Sequence, residues 1–156
     1  MDWSFCSESM MRMSGDAKKS VPWRPQSYFS HQSNSARAFE ILNEHGGIAV
    51  DFHALRKTRP HLAVEGGQSR SMSLWLTQTR TGFVTVPKLE ADLFTIRFVT
   101  SGRMTRRSRT SEHLGYPGQA MFVAFEDMRN EEASAHFAAI SGTITRSALL
   151  ASHRAL

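Results

Sequence analysis

A chain of 156 residues with 40% hydrophobic and 21% charged side chains is long enough for one ordinary globular domain with a real core. It has no apolar run of membrane-spanning length, its polar N-terminus lacks the apolar stretch and cleavage site of a secretory signal, and its single cysteine, Cys6, rules out an internal disulfide. The formal net charge of +5 suits nucleic acid, an anionic ligand or an acidic partner, and equally suits simple solubility. A cytoplasmic protein is expected.

Residues 1–33 read as a poorly ordered N-terminal segment. Ser and Met are frequent, Pro22 and Pro25 punctuate, and no apolar period holds. Trp23, Tyr28 and Phe29 can still dock as an arm. Ser35 to Glu44 is predicted helical, capped by Ser35, with Phe39 and Leu42 on one face and Gly46-Gly47 as its stop. The period then changes to two. Predicted strands run over Ile48 to Ala54, Ser71 to Thr79 and Gly82 to Val86, the last ended by Pro87.

Leu93 to Thr100 is the clearest strand: Phe94, Ile96 and Phe98 share one face, Thr95 and Arg97 the other. Ser101-Gly102 permits a turn into a predicted hairpin of Arg103 to Arg109 and Glu112 to Leu114. Gln119 to Phe125 and Ala135 to Thr145 complete the strands. Short strands between turn residues predict a mainly β antiparallel barrel or sandwich. Thr145 to Leu156 turns helical again, capped by Thr145 or Ser147, and breaks off at Leu156 without a stop signal. This suggests a chain cut before its natural end.

The order of these features in Leu93 to Leu156 resembles the cupin-like N-terminal regulatory domain of AraC-family transcriptional regulators. The residues that carry the likeness are the strand Phe94-Thr95-Ile96-Arg97-Phe98, the Ser101-Gly102 turn, the Gly115-Tyr116-Pro117-Gly118 corner, the apolar strand Gln119 to Phe125, and the passage Thr145-Arg146-Ser147-Ala148-Leu149-Leu150 from strand to helix. About two fifths of the chain bears it. The resemblance implies a jelly-roll-type antiparallel β-barrel with a short helix before it and another after it. Residues 34–145 would be the regulatory domain, and residues 146–156 the start of a linker or dimerisation helix. It further implies a domain that binds a small-molecule effector, dimerises, and reaches DNA only through two helix-turn-helix units not contained in these residues. No cofactor, no membrane contact and no enzyme activity are expected. A stand-alone cupin-fold metal enzyme and an oligomerisation-only truncated regulator are the alternatives.

Phe94, Ile96, Phe98 and Phe122, with Phe125, are candidates to line a ligand pocket; a solid filled core is the commoner outcome. Arg97 lies opposite an apolar face, so a position inside the barrel would require an acidic partner or a ligand. Arg129 and Asn130, in the acidic stretch Glu126 to Glu132 read as a loop near the barrel mouth, are further contact candidates. Arg103, Arg107 and Arg109 fall on one side of the hairpin and read as a solvated face. Leu149 and Leu150 are candidates for dimerisation. Metal-binding cupins use a His-x-His pair, a Glu and a later His. None of the seven histidines here forms such a pair, so no metal site is expected. His113 and His136 are left as a possible cross-strand pair, and Asp51 and His53 as an ordinary surface pair. No nucleophile elbow or phosphate loop occurs.

Overall fold

The computed structural model describes residues 26–46, 49–55, 59–88 and 90–155. Cys6, Trp23, Gly47, Ile48 and Leu156 lie outside the described residues. Eleven strands and two helices follow one another among them: β1 Ser27–Ser33, α1 Ala36–His45, β2 Val50–Ala54, β3 Leu62–Gln68, β4 Met72–Gln78, β5 Phe83–Pro87, β6 Leu93–Ser101, β7 Met104–Ser108, β8 Glu112–Gly115, β9 Ala120–Ala124, β10 Met128–Ala133, β11 Ala138–Thr145 and α2 Arg146–Arg154. They form two antiparallel sheets, of order β1-β3-β4-β11-β6-β9 and β2-β5-β10-β7-β8. The fold is mainly β, as the sequence implies. The two sheets face one another as a jelly-roll-type pair and are not closed by a common ladder.

Both helices begin where the sequence places them. The Ser35 hydroxyl accepts from the Ala38 amide at 3.1 Å, and Thr145 does the same for Ala148 at 3.3 Å. Each satisfies an amide that the first turn otherwise leaves without a partner. Helix α1 turns Phe39 and Leu42 into the core. The Asn43 side-chain amide donates to the Phe52 carbonyl at 2.9 Å and accepts from its amide at 2.8 Å, which fixes the helix on β2. From there a chain of edge-on rings, Phe39 to Phe52 to Phe83 to Phe137, crosses the interior with centroid separations of 6.4, 5.3 and 6.1 Å. At the corner, the Gln119 amide donates to the Tyr116 carbonyl at 3.0 Å. Gly118, at φ 84°, occupies the left-handed position that a type II turn after proline demands.

Three strands depart from the sequence reading. β1 lies inside the segment expected to be poorly ordered. It pairs with β3 along all seven residues, Ser27 with Gln68 through Ser33 with Leu62. Its exposed edge position, with Tyr28 81% exposed, explains why no apolar alternation marks it. β3 falls where no strand is predicted, and it contains Gly66-Gly67. Its backbone approaches β4 so closely that a Cβ on Gly66 would sit 2.2 Å from the Leu74 carbonyl oxygen. β10 coincides with most of the acidic stretch read as a loop. It pairs with β5 on one side and β7 on the other. Conversely, the long strand predicted from Ala135 begins only at Ala138, because Ala135 and His136 form a turn with His136 at φ 58°.

Candidate functional site: an internal cavity with a buried ion triad

Strand alternation gives each sheet one row of inward side chains near the middle of the sandwich. In the five-stranded sheet, Phe52, Thr85, Glu131 and Arg106 are successive cross-strand neighbours. In the six-stranded sheet, Trp75, Ser141, Arg97 and Met121 are. Between the sheets lies a cavity of about 330 Å³, at the lower end of the range for small-molecule sites. Its walls are largely apolar: Phe29, Val50, Phe52, Val64, Trp75, Phe83, Leu93, Met104, Phe125, Met128 and Phe137. The polar lining consists of Arg97, Glu131, His31, Gln68, Ser73 and the threonines Thr77, Thr85, Thr95 and Thr143.

The charged part of this lining ties the two rows together. Arg97 Nη1 donates to Glu131 Oε2 and its Nε donates to Ser141 Oγ at 3.0 Å. Arg106 Nη1 donates to the other carboxylate oxygen at 3.0 Å and lies 3.3 Å from Thr95 Oγ1, while its Nη2 reaches the Ala124 carbonyl. Arg106 is 2% exposed and Glu131 4%. Burial alone pushes the Glu131 carboxyl up. The charges of Arg97 and Arg106 and their hydrogen bonds outweigh that and hold it below the ordinary carboxylate range. Burial lowers the Arg106 pKa, and Glu131 opposes the shift. Two guanidinium groups against one carboxylate leave an excess positive charge beside the cavity.

Thr85 Oγ1 is buried without a hydrogen-bond partner among the described residues. Thr85 lines the cavity directly beside Glu131 in the ladder. A buried hydroxyl with no partner is costly unless something else occupies the space beside it.

Arg97 is therefore inside, with the acidic partner that such a position requires. Phe125 also lines the cavity, whereas the other pocket candidates do not. Phe94, Ile96, Phe98 and Phe122 are absent from the cavity wall. They point away from it, Phe98 and Phe122 being 47% and 57% exposed. The inward residues of β6 are Leu93, Thr95, Arg97 and Val99 instead. The physical reason is that Thr95 and Arg97 find hydrogen-bond partners between the sheets, while the aromatic face finds apolar neighbours on the outside. The outer face belongs to a patch in which Phe98, Ile140 and Leu76 are cross-strand neighbours, as are Phe122, Ile96, Gly142 and Leu74. Phe94 stacks on Phe122 at 5.3 Å, and the Arg146 guanidinium lies 5.0 Å over the Phe94 ring.

Arg129 is also corrected: it is exposed on β10 and does not line the cavity. Asn130 does not line it either. Arg107 occupies the solvated hairpin face as expected, paired with Glu112 and Glu132, but Arg106 is fully inside. Leu149 is half-buried and Leu150 exposed on α2, a helix without buried residues. His113 shares a hydrogen bond with Ser111, and His136 is an exposed turn residue. Asp51 pairs with Lys88 at 3.1 Å. Among the described residues, no three His, Cys, Asp or Glu side chains cluster as metal ligands would, and no helix is long and apolar enough to cross a membrane.

Sequence reasoning missed Thr85, Glu131 and Trp75 as cavity residues and Arg106 as the buried cation behind Glu131. For Arg106 a signal existed, since it alternates with Met104 opposite the solvated arginines. For Glu131, inside a run of charged residues, none did.

No protein-family model matches the sequence, and no curated protein matches it. Solved structures do. The AraC-like transcriptional activator CuxR superposes with a TM-score of 0.62 at 15% identity, covering 83% of this chain and 51% of that one. This chain thus spans about half the activator's length. A cupin superfamily protein from Desulfitobacterium hafniense DCB-2 gives 0.45 at 12% identity, covering 80% and 84% of the two chains. KdgF from Halomonas sp. gives 0.45 at 12%, covering 62% and 86%. The chain has a cupin-like fold.

Proposed function

We propose that this chain is the regulatory domain of an AraC-type bacterial transcription regulator, one that senses a small effector in its cavity and dimerises. DNA contact then belongs to helix-turn-helix units outside these residues, the setting is cytoplasmic, and the ligand is bound and released unchanged. The observation that carries the reading is the largely apolar cavity with a partnerless buried hydroxyl and a charged group at its wall. The fold shared with an AraC-like activator supports it.

The path from cavity to output is short. Leu93, Phe125 and Thr143 line the cavity. Immediately beside two of them, Asp92 and Glu126 hold Arg146, the first residue of α2, at 2.6 and 2.7 Å. These exposed pairs are weak singly. They suffice to bias a helix whose docking has two nearly equal states, provided that the ligand prefers one of them. A thermal-shift screen of small metabolites tests the sensing role. A ligand present at a hundredfold its Kd adds about 2.7 kcal/mol, and the gain should vanish in Trp75→Ala. A broad screen without one such compound contradicts the reading.

The outward apolar patch supports the dimer. Patches of this kind on a soluble domain mark interaction surfaces, and Leu150 at 48% exposure adds a second apolar contact. Sedimentation should show a dimer at micromolar concentration. Phe122→Lys/Ile140→Lys, or Leu149→Lys/Leu150→Lys, should shift it towards monomer. Sedimentation unchanged in both variants would remove these surfaces from the seam.

A further inference from the structure

Resting on the sensing role above, we infer that the effector is a small organic anion: a carboxylate-type group anchored by Arg97 and Thr85, carried on an apolar body that packs against Trp75, Phe52 and Phe83.

Three observations converge. The first is charge. Arg97 and Arg106 face one carboxylate, Glu131, inside the sandwich. The remaining acidic influence on Arg106 comes from Asp127, which is exposed and screened by water. An uncompensated positive charge in a largely buried site is costly, and an entering anion reduces that cost. The second is the unused donors. Arg97 uses Nη1 and Nε within the protein, and no described residue accepts from its Nη2. Thr85 Oγ1 is likewise without a partner, and the ladder puts it next to Glu131, the residue Arg97 grips. A guanidinium N–H from the six-stranded sheet and a hydroxyl from the five-stranded sheet, each beside Glu131, form a donor pair for a carboxylate. The third is the rest of the wall. Rings surround this polar spot, and a volume of about 330 Å³ equals that of about eleven liquid waters, which admits a molecule of on the order of a dozen non-hydrogen atoms.

The test uses three probes of one shape: 3-phenylpropanoate, its neutral amide and 3-phenylpropylammonium. Affinities are measured by following Trp75 fluorescence in a Trp3→Phe/Trp23→Phe background. The carboxylate should bind at least tenfold tighter than the amide, and the ammonium should not bind. Thr85→Val, which keeps the shape and the whole triad, should weaken the carboxylate several-fold and leave the amide unchanged. Arg97→Met should abolish the preference. If the amide or the ammonium binds as well as the carboxylate, the anionic class is wrong while the cavity remains a ligand site. If none of the three binds at millimolar concentration, the inference falls, and the sensing role is decided separately by the metabolite screen. If Thr85→Val changes stability but not affinity, Thr85 is not an anchor.

Discussion

Glu131→Ala should destabilise the domain by about 3–5 kcal/mol, the usual cost of stripping one partner from a buried ion cluster. Glu131 sits between Arg97 and Arg106 and accepts from both. Arg106 is 2% exposed and keeps only Thr95 Oγ1 and the Ala124 carbonyl once the carboxylate is gone. Two cations that met at one carboxylate would then be left side by side without it. The same carboxylate makes the fold acid-sensitive. Its folded pKa is depressed, so its contribution is fully present above its unfolded pKa, about 4.3. That contribution is lost as the pH falls through the folded value. Urea denaturation of wild type and Glu131→Ala from pH 7 downwards measures both effects. The gap between the two proteins should narrow below about pH 4. A difference under about 1 kcal/mol at pH 7 would mean that water reaches the triad and screens it.

Replacing the whole triad should act in the opposite direction. Arg97→Met/Glu131→Leu/Arg106→Met is expected to fold and to be neutral or about 1–4 kcal/mol more stable than wild type. Mutual attraction in such clusters rarely exceeds what desolvation costs, and well-packed apolar side chains carry no such cost. The same variant should lose carboxylate binding completely. Together, the single and triple variants separate two roles. A triad kept for stability makes both destabilising. A triad kept for recognition makes the triple variant stable and blind to anions. Denaturation midpoints and the phenylpropanoate titration decide between these, and an unfolded triple variant would contradict the second role.

Much of the architecture was legible because it rests on local rules. Ser35 and Thr145 are caps, Pro117-Gly118 is a corner, and the alternation of Leu93 to Thr100 is a strand; each holds in the structure. Arg97 was also legible as a group needing an acidic partner. What alternation does not fix is which face of β6 points inward, since the choice depends on what covers each face. Here the aromatic face is the outer one, and the inner face carries Thr95 and Arg97. β10 was hidden for a related reason. Its charges belong to a strand whose inward Glu131 is neutralised by residues 25 and 34 positions away. β3 was hidden because Gly66 serves close strand packing, which looks the same in sequence as a turn.

The most direct test of the account is where a bound molecule sits. Intermolecular NOEs from 3-phenylpropanoate to labelled protein should run to the Trp75, Phe52 and Phe83 rings inside the sandwich. NOEs confined to Phe94, Phe98, Phe122 and Ile140 would place the molecule on the outer sheet face and contradict an effector-sensing cavity.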